Sequence, residues 1–305
     1  MKILHIALFL ILLAFSLNAQ PKSYKQWDEL QKKFSYYLIT VEDFEKAELY
    51  LSQMQKLADR KFKSTDSLYA ATVIKAVELE QARKYYVKGN EMLEKHIVKM
   101  REDAAKGIKL SLSHYNFLLI YGNNCYYIAE SLMFGRPLLG TDMKLPALPE
   151  EKFKISLQYF NKAIDSFTEL KKRYPKHADA DENIGAVYRY KGRLQGQFLG
   201  DLAGCISSLE KSLEYGEDLE TYRLLGVANG IAGKHFKAIE SFEKGLKFTS
   251  GPNAAGLLYN LEVAYRQLTE REPDPILKEQ YKSKAESYLI QWKAADPSYD
   301  PRNGN

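Results

Sequence analysis

The 305-residue sequence predicts an all-α fold built from stacked antiparallel helix pairs. Three observations carry that expectation. Apolar residues recur at three- and four-residue spacing along most of the chain, Pro and Gly are scarce from 22 to 134, and the second half repeats its own phrases about every 33 residues. No stretch alternates with period two between turn dipeptides, so no strand is predicted.

The first element is a predicted signal peptide over 1–19. Met1-Lys2 gives a positive start, Ile3 to Phe15 is apolar apart from His5, and "SLNAQ" supplies small residues. Cleavage is expected after Ala19, with Leu17 at the −3 position. The thirteen-residue run falls short of the ~20 residues that span a bilayer, which disfavours an uncleaved anchor. No Cys follows the cut, so no lipid attachment is expected. The mature chain would be periplasmic or secreted, of bacterial style, and without a membrane span.

Next comes an N-terminal helical segment, 20–110. In "FEKAELYLSQMQKLA" the residues Phe44, Ala47, Leu51, Met54 and Leu57 fall on one stripe, as an amphipathic helix requires. The charges of the chain, 44 basic and 39 acidic with a net of +5, are interleaved in runs such as "EKHIVKMREDAAKGIK". That is how solvated helix faces look, and the absence of a basic block gives no reason to expect nucleic acid.

The third segment, 111–305, carries the repeat. "TYRLLGVANGIAGKHFKAIESFEKGLKF" (221–248) aligns with "DENIGAVYRYKG" (181–192) and "GCISSLEKSLEYG" (204–216). Leu225-Gly226 matches Ile184-Gly185, and Gly233 matches Gly192. Ala238, Ile239, Phe242, Lys244 and Leu246 match Cys205, Ile206, Leu209, Lys211 and Leu213, each pair 33 residues apart. Two more second helices share the phrase. Pro175 follows Ala163 by twelve residues, and Pro297 follows Ala285 by the same interval.

These residues resemble the tetratricopeptide repeat, a helix–turn–helix unit of about 34 residues. The resemblance implies an α-solenoid in which small residues sit where paired helices cross and a proline closes each unit. The packing set is Gly185, Gly226, Gly233, Ala163, Cys205, Ala238, Phe242, Ala285, Pro175 and Pro297. About eight extra residues are placed between the helices of the unit starting at Ala178, a length similar to Sel1-like repeats. The last unit departs at Glu262 and carries the insertion "EREPDPILKEQ"; "IYGNNCYYIAES", around Gly122, resembles a first helix.

Family members bind partners on the face made by their first helices. Carried over, that surface includes Asn123, Tyr126, Tyr127, Asn183, Arg189, Tyr190, Arg223, Tyr259, Asn260 and Arg266. Asn can bond both backbone groups of a peptide, Arg can fork a carboxylate and Tyr stacks. Asn123 and Asn183 fall where some members clamp a C-terminal carboxylate, but Leu119, Glu220 and Leu224 replace the cations. The expected function is therefore a non-catalytic exported scaffold for a protein or peptide partner. The alternative is a small-ligand accessory protein of a solute transport system, with the insertions walling off a cavity.

Other candidate chemistry is read against packing. His177, Asp179, Asp181 and Glu182 form an acidic first turn that complements a helix dipole, and the string lacks metal-ligand spacing. No Walker, dinucleotide or G-x-S-x-G motif occurs, and no metal or cofactor is expected. His96 lies on a charged helix and His235 at an aromatic packing position. Gly192, Gly196, Gly200 and Gly204 could form a close-packing helical stripe, present N–H groups to an anion beside Arg193, or make a linker with Gly192 as a helix C-cap. Cys125 and Cys205 are expected as buried thiols rather than a disulfide. Most of the 22 tyrosines should fill the core.

Overall fold

A computed structural model describes residues 22–62, 67–83, 85–106, 113–136, 149–176 and 179–299, without the side chains of 86, 113, 114 and 179. The predicted signal peptide and His177 lie outside the described residues. Twelve α-helices and no strand occur among the described residues, as the all-α expectation requires. The described residues divide into two compact units, those of 22–117 and those of 118–299.

In the first unit, α1 (Lys22–Ser35) continues through a π-helical turn over Tyr36–Val41. Glu42, at φ 56°, takes the left-handed conformation and ends that run. Asp43 then caps α2 (Phe44–Lys61), accepting the Lys46 N–H at 3.0 Å. The α2 stripe lies where its spacing puts it: Ala47 and Met54 are buried, and Phe44, Leu51 and Leu57 pack around the same cluster as Trp27, Leu30 and Phe34. Helix α3 (Ser67–Ala82) is buried on every side, from Leu68 and Ile74 to Leu79. Trp27 Nε1 donates to Thr72 Oγ1 at 2.8 Å, and Thr72 passes a hydrogen bond to the Leu68 carbonyl. Its buried charges are matched, Lys75 by Glu78 and Glu80 by Lys88.

Helix α4 (Tyr86–Ala105) presents His96 inward. Its ring centroid lies 4.4 Å from that of Phe117 and 6.0 Å from that of Tyr69. Although its helix is charged, this histidine is an interior residue. Phe117 belongs to the start of α5 (Ser113–Met133), within which the division between the units falls.

The second unit continues with α6 (Pro149–Arg173), α7 (Asp179–Gln197), α8 (Leu202–Leu213), α9 (Leu219–Ile231), α10 (His235–Gly245), α11 (Ala255–Arg271) and α12 (Pro275–Ala295). Each packs against its neighbour in chain order, which is the arrangement of an all-α solenoid of helix pairs. Small residues make the crossings. A Cβ on Gly226 would strike the Phe242 ring, and one on Gly122 would come within 2.6 Å of Phe167. Ala163, Cys205, Ala238 and Ala285 are buried. Pro175 and Pro297 stand just past the ends of α6 and α12. Serine hydroxyls add cross-helix bonds: Ser166 to the Leu118 carbonyl, Ser156 to Ala129, and Ser212 to Gly185, at 2.7–2.8 Å.

The structure corrects one register. Gly192 is not a C-cap: α7 runs on to Gln197, and Gly192 and Gly196 face Leu209 and Cys205 of α8. A Cβ at either glycine would approach those side chains to 2.9 Å. The counterpart of Gly233 (φ 72°) is Gly200 (φ 67°), 33 residues earlier and likewise left-handed after its helix. Gly192 against Leu209 therefore plays the part of Gly226 against Phe242, while Gly185 lies two turns upstream against Tyr215 and Ser212. The extra residues lengthen α7 at its N-terminus and do not form a linker. Asp201 caps α8 through the Gly204 N–H at 2.8 Å.

Candidate partner-binding face

Helices α5, α7, α9 and α11 are the first members of their pairs, and every residue carried over from the family sits on one of them. Seven residues make nearly two helical turns, so moving the α7 register from Gly185 to Gly192 shifts its residues about 10 Å along the axis but leaves them on the same face.

At the α5–α7 end, Tyr126 and Tyr190 meet edge to face with centroids 5.4 Å apart. Burial, together with Tyr190 and Glu130 nearby and a hydrogen bond that the Tyr126 hydroxyl shares with the Tyr190 side chain, pushes the Tyr126 phenol far above its ordinary pKa. Asn123 and Asn183 are half-buried, and Tyr127 is exposed. Tyr190 also lies edge-on to Phe134, at 6.5 Å.

Two arginines of this face, Arg189 and Arg223, already hold a carboxylate each. Arg189 Nη1 lies 3.0 Å from Asp218 Oδ2, and Asp218 caps α9 by accepting the Thr221 N–H at 2.9 Å. Burial raises the Asp218 pKa, but the Thr221 hydroxyl and N–H and the Arg189 guanidinium outweigh it and hold the carboxyl below its usual range. Arg223 grips Glu220 of its own helix through Nε and Nη2 at 2.7 and 2.8 Å. Arg266 is exposed, with Glu262 3.8 Å away.

At the α11 end, Tyr259 meets Trp292 edge to face at 5.8 Å and Tyr299 at 6.2 Å. Tyr299 follows the Pro297 turn and reaches back to Gly256, where its hydroxyl comes within 3.3 Å of a Cβ position. Asn260 beside it is half-buried. Thus the structure brings Tyr126 and Tyr190 together, links Arg189 to the start of α9, and covers Tyr259 with the chain's own C-terminal turn. It does not gather the two asparagines and a cation into a carboxylate clamp.

Sequence reasoning passed over Phe134 and Arg136, which follow α5. Arg136 Cζ stands 5.4 Å from the Phe134 ring centroid, and Arg193 of α7 stands 5.2 Å from the same centroid. The one signal was Arg193 within the glycine series; nothing in the spacing joined it to Phe134.

The end of the insertion, which forms the first turns of α12, lines a hollow with α11. Ile276, Glu279 and Gln280, with Tyr265, Tyr281, Ser283 and Lys284, surround about 680 Å³ that opens to solvent. Cys125 and Cys205 are buried and not joined in a disulfide, and burial pushes the Cys205 pKa up. His235 is buried, and among the described residues neither ring nitrogen meets a hydrogen-bond partner. Among the described residues no three His, Cys, Asp or Glu side chains gather to hold a metal, and no helix is long and apolar enough to cross a membrane.

No family model and no curated protein matches the sequence. Among solved structures the chain is similar to BtubC (BKLC) from P. vanneervenii, at 11% identity and a TM-score of 0.39 over 92% of this chain and 95% of that one. It is also similar to the APC/C hetero-tetramer Cut9-Hcn1, at 16% identity and a TM-score of 0.29, covering 91% of this chain and 58% of that one. Likeness at that level carries no argument, and the repeat rests on the helix-pair contacts themselves.

Proposed function

We propose that the protein is an exported, non-catalytic scaffold whose second unit holds a protein segment on the face of its first helices. The observation that carries this reading is the Tyr126–Tyr190–Phe134 cluster. It joins α5, the residue just after it and α7 through half-buried aromatic rings, with half-buried Asn123 and exposed Tyr127 on the same helix as Tyr126 and half-buried Asn183 two turns before Tyr190 on α7. Rigid aromatic side chains beside amides suit an extended peptide, because they offer contact area at low entropic cost and bonds to both backbone groups. Export is supported by the charged, apolar and small-residue order of 1–19. The solvent-open hollow beside α12 gives less support to a small ligand, which binding sites mostly enclose.

Photo-crosslinking in intact cells tests the reading. A photoreactive residue at position 127 should trap a defined protein, whereas one at Ile290, exposed on α12, should not. Tyr190→Ala should abolish the product from 127 while circular dichroism stays unchanged. Equal trapping at both positions, or none at 127, would count against the first-helix face.

A further inference from the structure

We propose that the Phe134, Arg136 and Arg193 cluster is a carboxylate-binding site, and that the partner segment held on this face is acidic. The inference rests on the reading above and adds the chemistry of what is recognised.

Two guanidiniums converge on one phenyl ring, Arg193 at 5.2 Å and Arg136 at 5.4 Å from its centroid. A third, Arg189, stands 5.8 Å from the Tyr190 ring, which itself abuts Phe134. Their anionic partners are fewer. Asp218 takes Arg189 at 3.0 Å, and Glu130 reaches Arg136 only at 3.8 Å. Arg193 donates Nε to the neutral Gln197 amide at 2.8 Å, and among the described residues it has no carboxylate within 4.0 Å. Among the described residues both terminal nitrogens of its fork thus lack an acidic partner. Like charges held on one ring repel, and an incoming carboxylate relieves that repulsion while gaining charge-assisted hydrogen bonds. Three guanidiniums gathered at one end of the face, Arg136, Arg189 and Arg193, suit a segment carrying several carboxylates better than a lone small anion.

The test uses the full chain and fluorescein-labelled octaglutamate and octaglutamine peptides, followed by anisotropy at low salt and at high salt. Octaglutamate should bind, weaken with salt, and lose at least tenfold in affinity to the double variant R136Q/R193Q. The lysine pair R136K/R193K should recover part of the loss, which separates charge from damage to the fold. Octaglutamine should not compete. Equal affinity of the double variant, binding of octaglutamine as tight as octaglutamate, or no octaglutamate binding to the natural chain would overturn the assignment. So would inorganic phosphate displacing the peptide at concentrations where free glutamate does not, since the site would then be a phosphate site. Trapping at position 127 reports on the face independently, so the acidic partner can fail while the face stands.

Discussion

His96 should make the first unit lose stability in mild acid by an amount that one substitution removes. The ring is 9% exposed and packs between Phe117 and Tyr69. Burial, then the Lys99 cation, lowers its pKa from 6.5 to about 4, against a smaller upward pull from Asp103. An unfolded chain therefore binds this proton between pH 6.5 and 4 while the folded one does not. Stability falls as pH drops through that window and is unaffected by this group above about pH 7. At pH 4.5 the loss works out at roughly 2–3 kcal/mol, because each tenfold difference in proton affinity between the two states is worth about 1.4 kcal/mol. His96→Phe keeps a ring of similar size beside Phe117 and should cost under about 1.5 kcal/mol at pH 7.5. The assay is urea unfolding at pH 7.5 and 4.5, read by fluorescence of Trp27, which is buried in this unit, in a Trp292→Phe background. The variant should lose about 2–3 kcal/mol less than the parent between the two conditions. Equal losses, or an NMR titration midpoint for His96 near 6.5, would refute the reasoning.

Two further substitutions probe the repeat. Gly226→Ala gains helix propensity of about 1 kcal/mol but drives a Cβ into Phe242, so a net loss of about 1–2 kcal/mol is expected in thermal unfolding, partly rescued by Phe242→Leu. Gly233→Ala, at φ 72°, should cost about 1–2 kcal/mol, whereas Gly216→Ala, with open space around its Cβ position, should change little; equal effects would remove the role given to the left-handed turn.

The helix pairs were legible because their signals are local. The α2 stripe, the Gly226–Phe242 crossing and the prolines after α6 and α12 each follow from a spacing or a missing side chain. The α7 register was not legible. Gly185, Gly192 and Gly196 are seven and four residues apart, so all three lie on one helical face, and any could supply the small residue of the crossing. Only the contact with Leu209 chooses Gly192. The pairing of Arg189 was hidden for another reason: Asp218 belongs to the cap of the next pair, 29 residues on, and no helical period relates the two. His96 misled because its neighbours in sequence are charged while its neighbours in space, Tyr69 and Phe117, come from other helices.

The distribution of ion pairs decides where on the first-helix face a charged partner gains most. A carboxylate arriving at Arg223 must displace Glu220 from a two-point grip, and one arriving at Arg189 must displace the cap of α9. Exchanging one carboxylate for another at a partly exposed arginine returns little free energy, and freeing Asp218 would also loosen the first turn of α9. Tyr259 is engaged by Trp292 and Tyr299, so apolar gain at that end requires moving the C-terminal turn. Arg193 carries neither cost. It has an amide where the others have an acid, and it shares a ring with Arg136, whose own carboxylate is distant. On the α5–α7 end Arg193 is thus where an acidic segment would add pairing at least cost, with only the long Glu130 contact of Arg136 to compete, and there the charge of the face would become specificity.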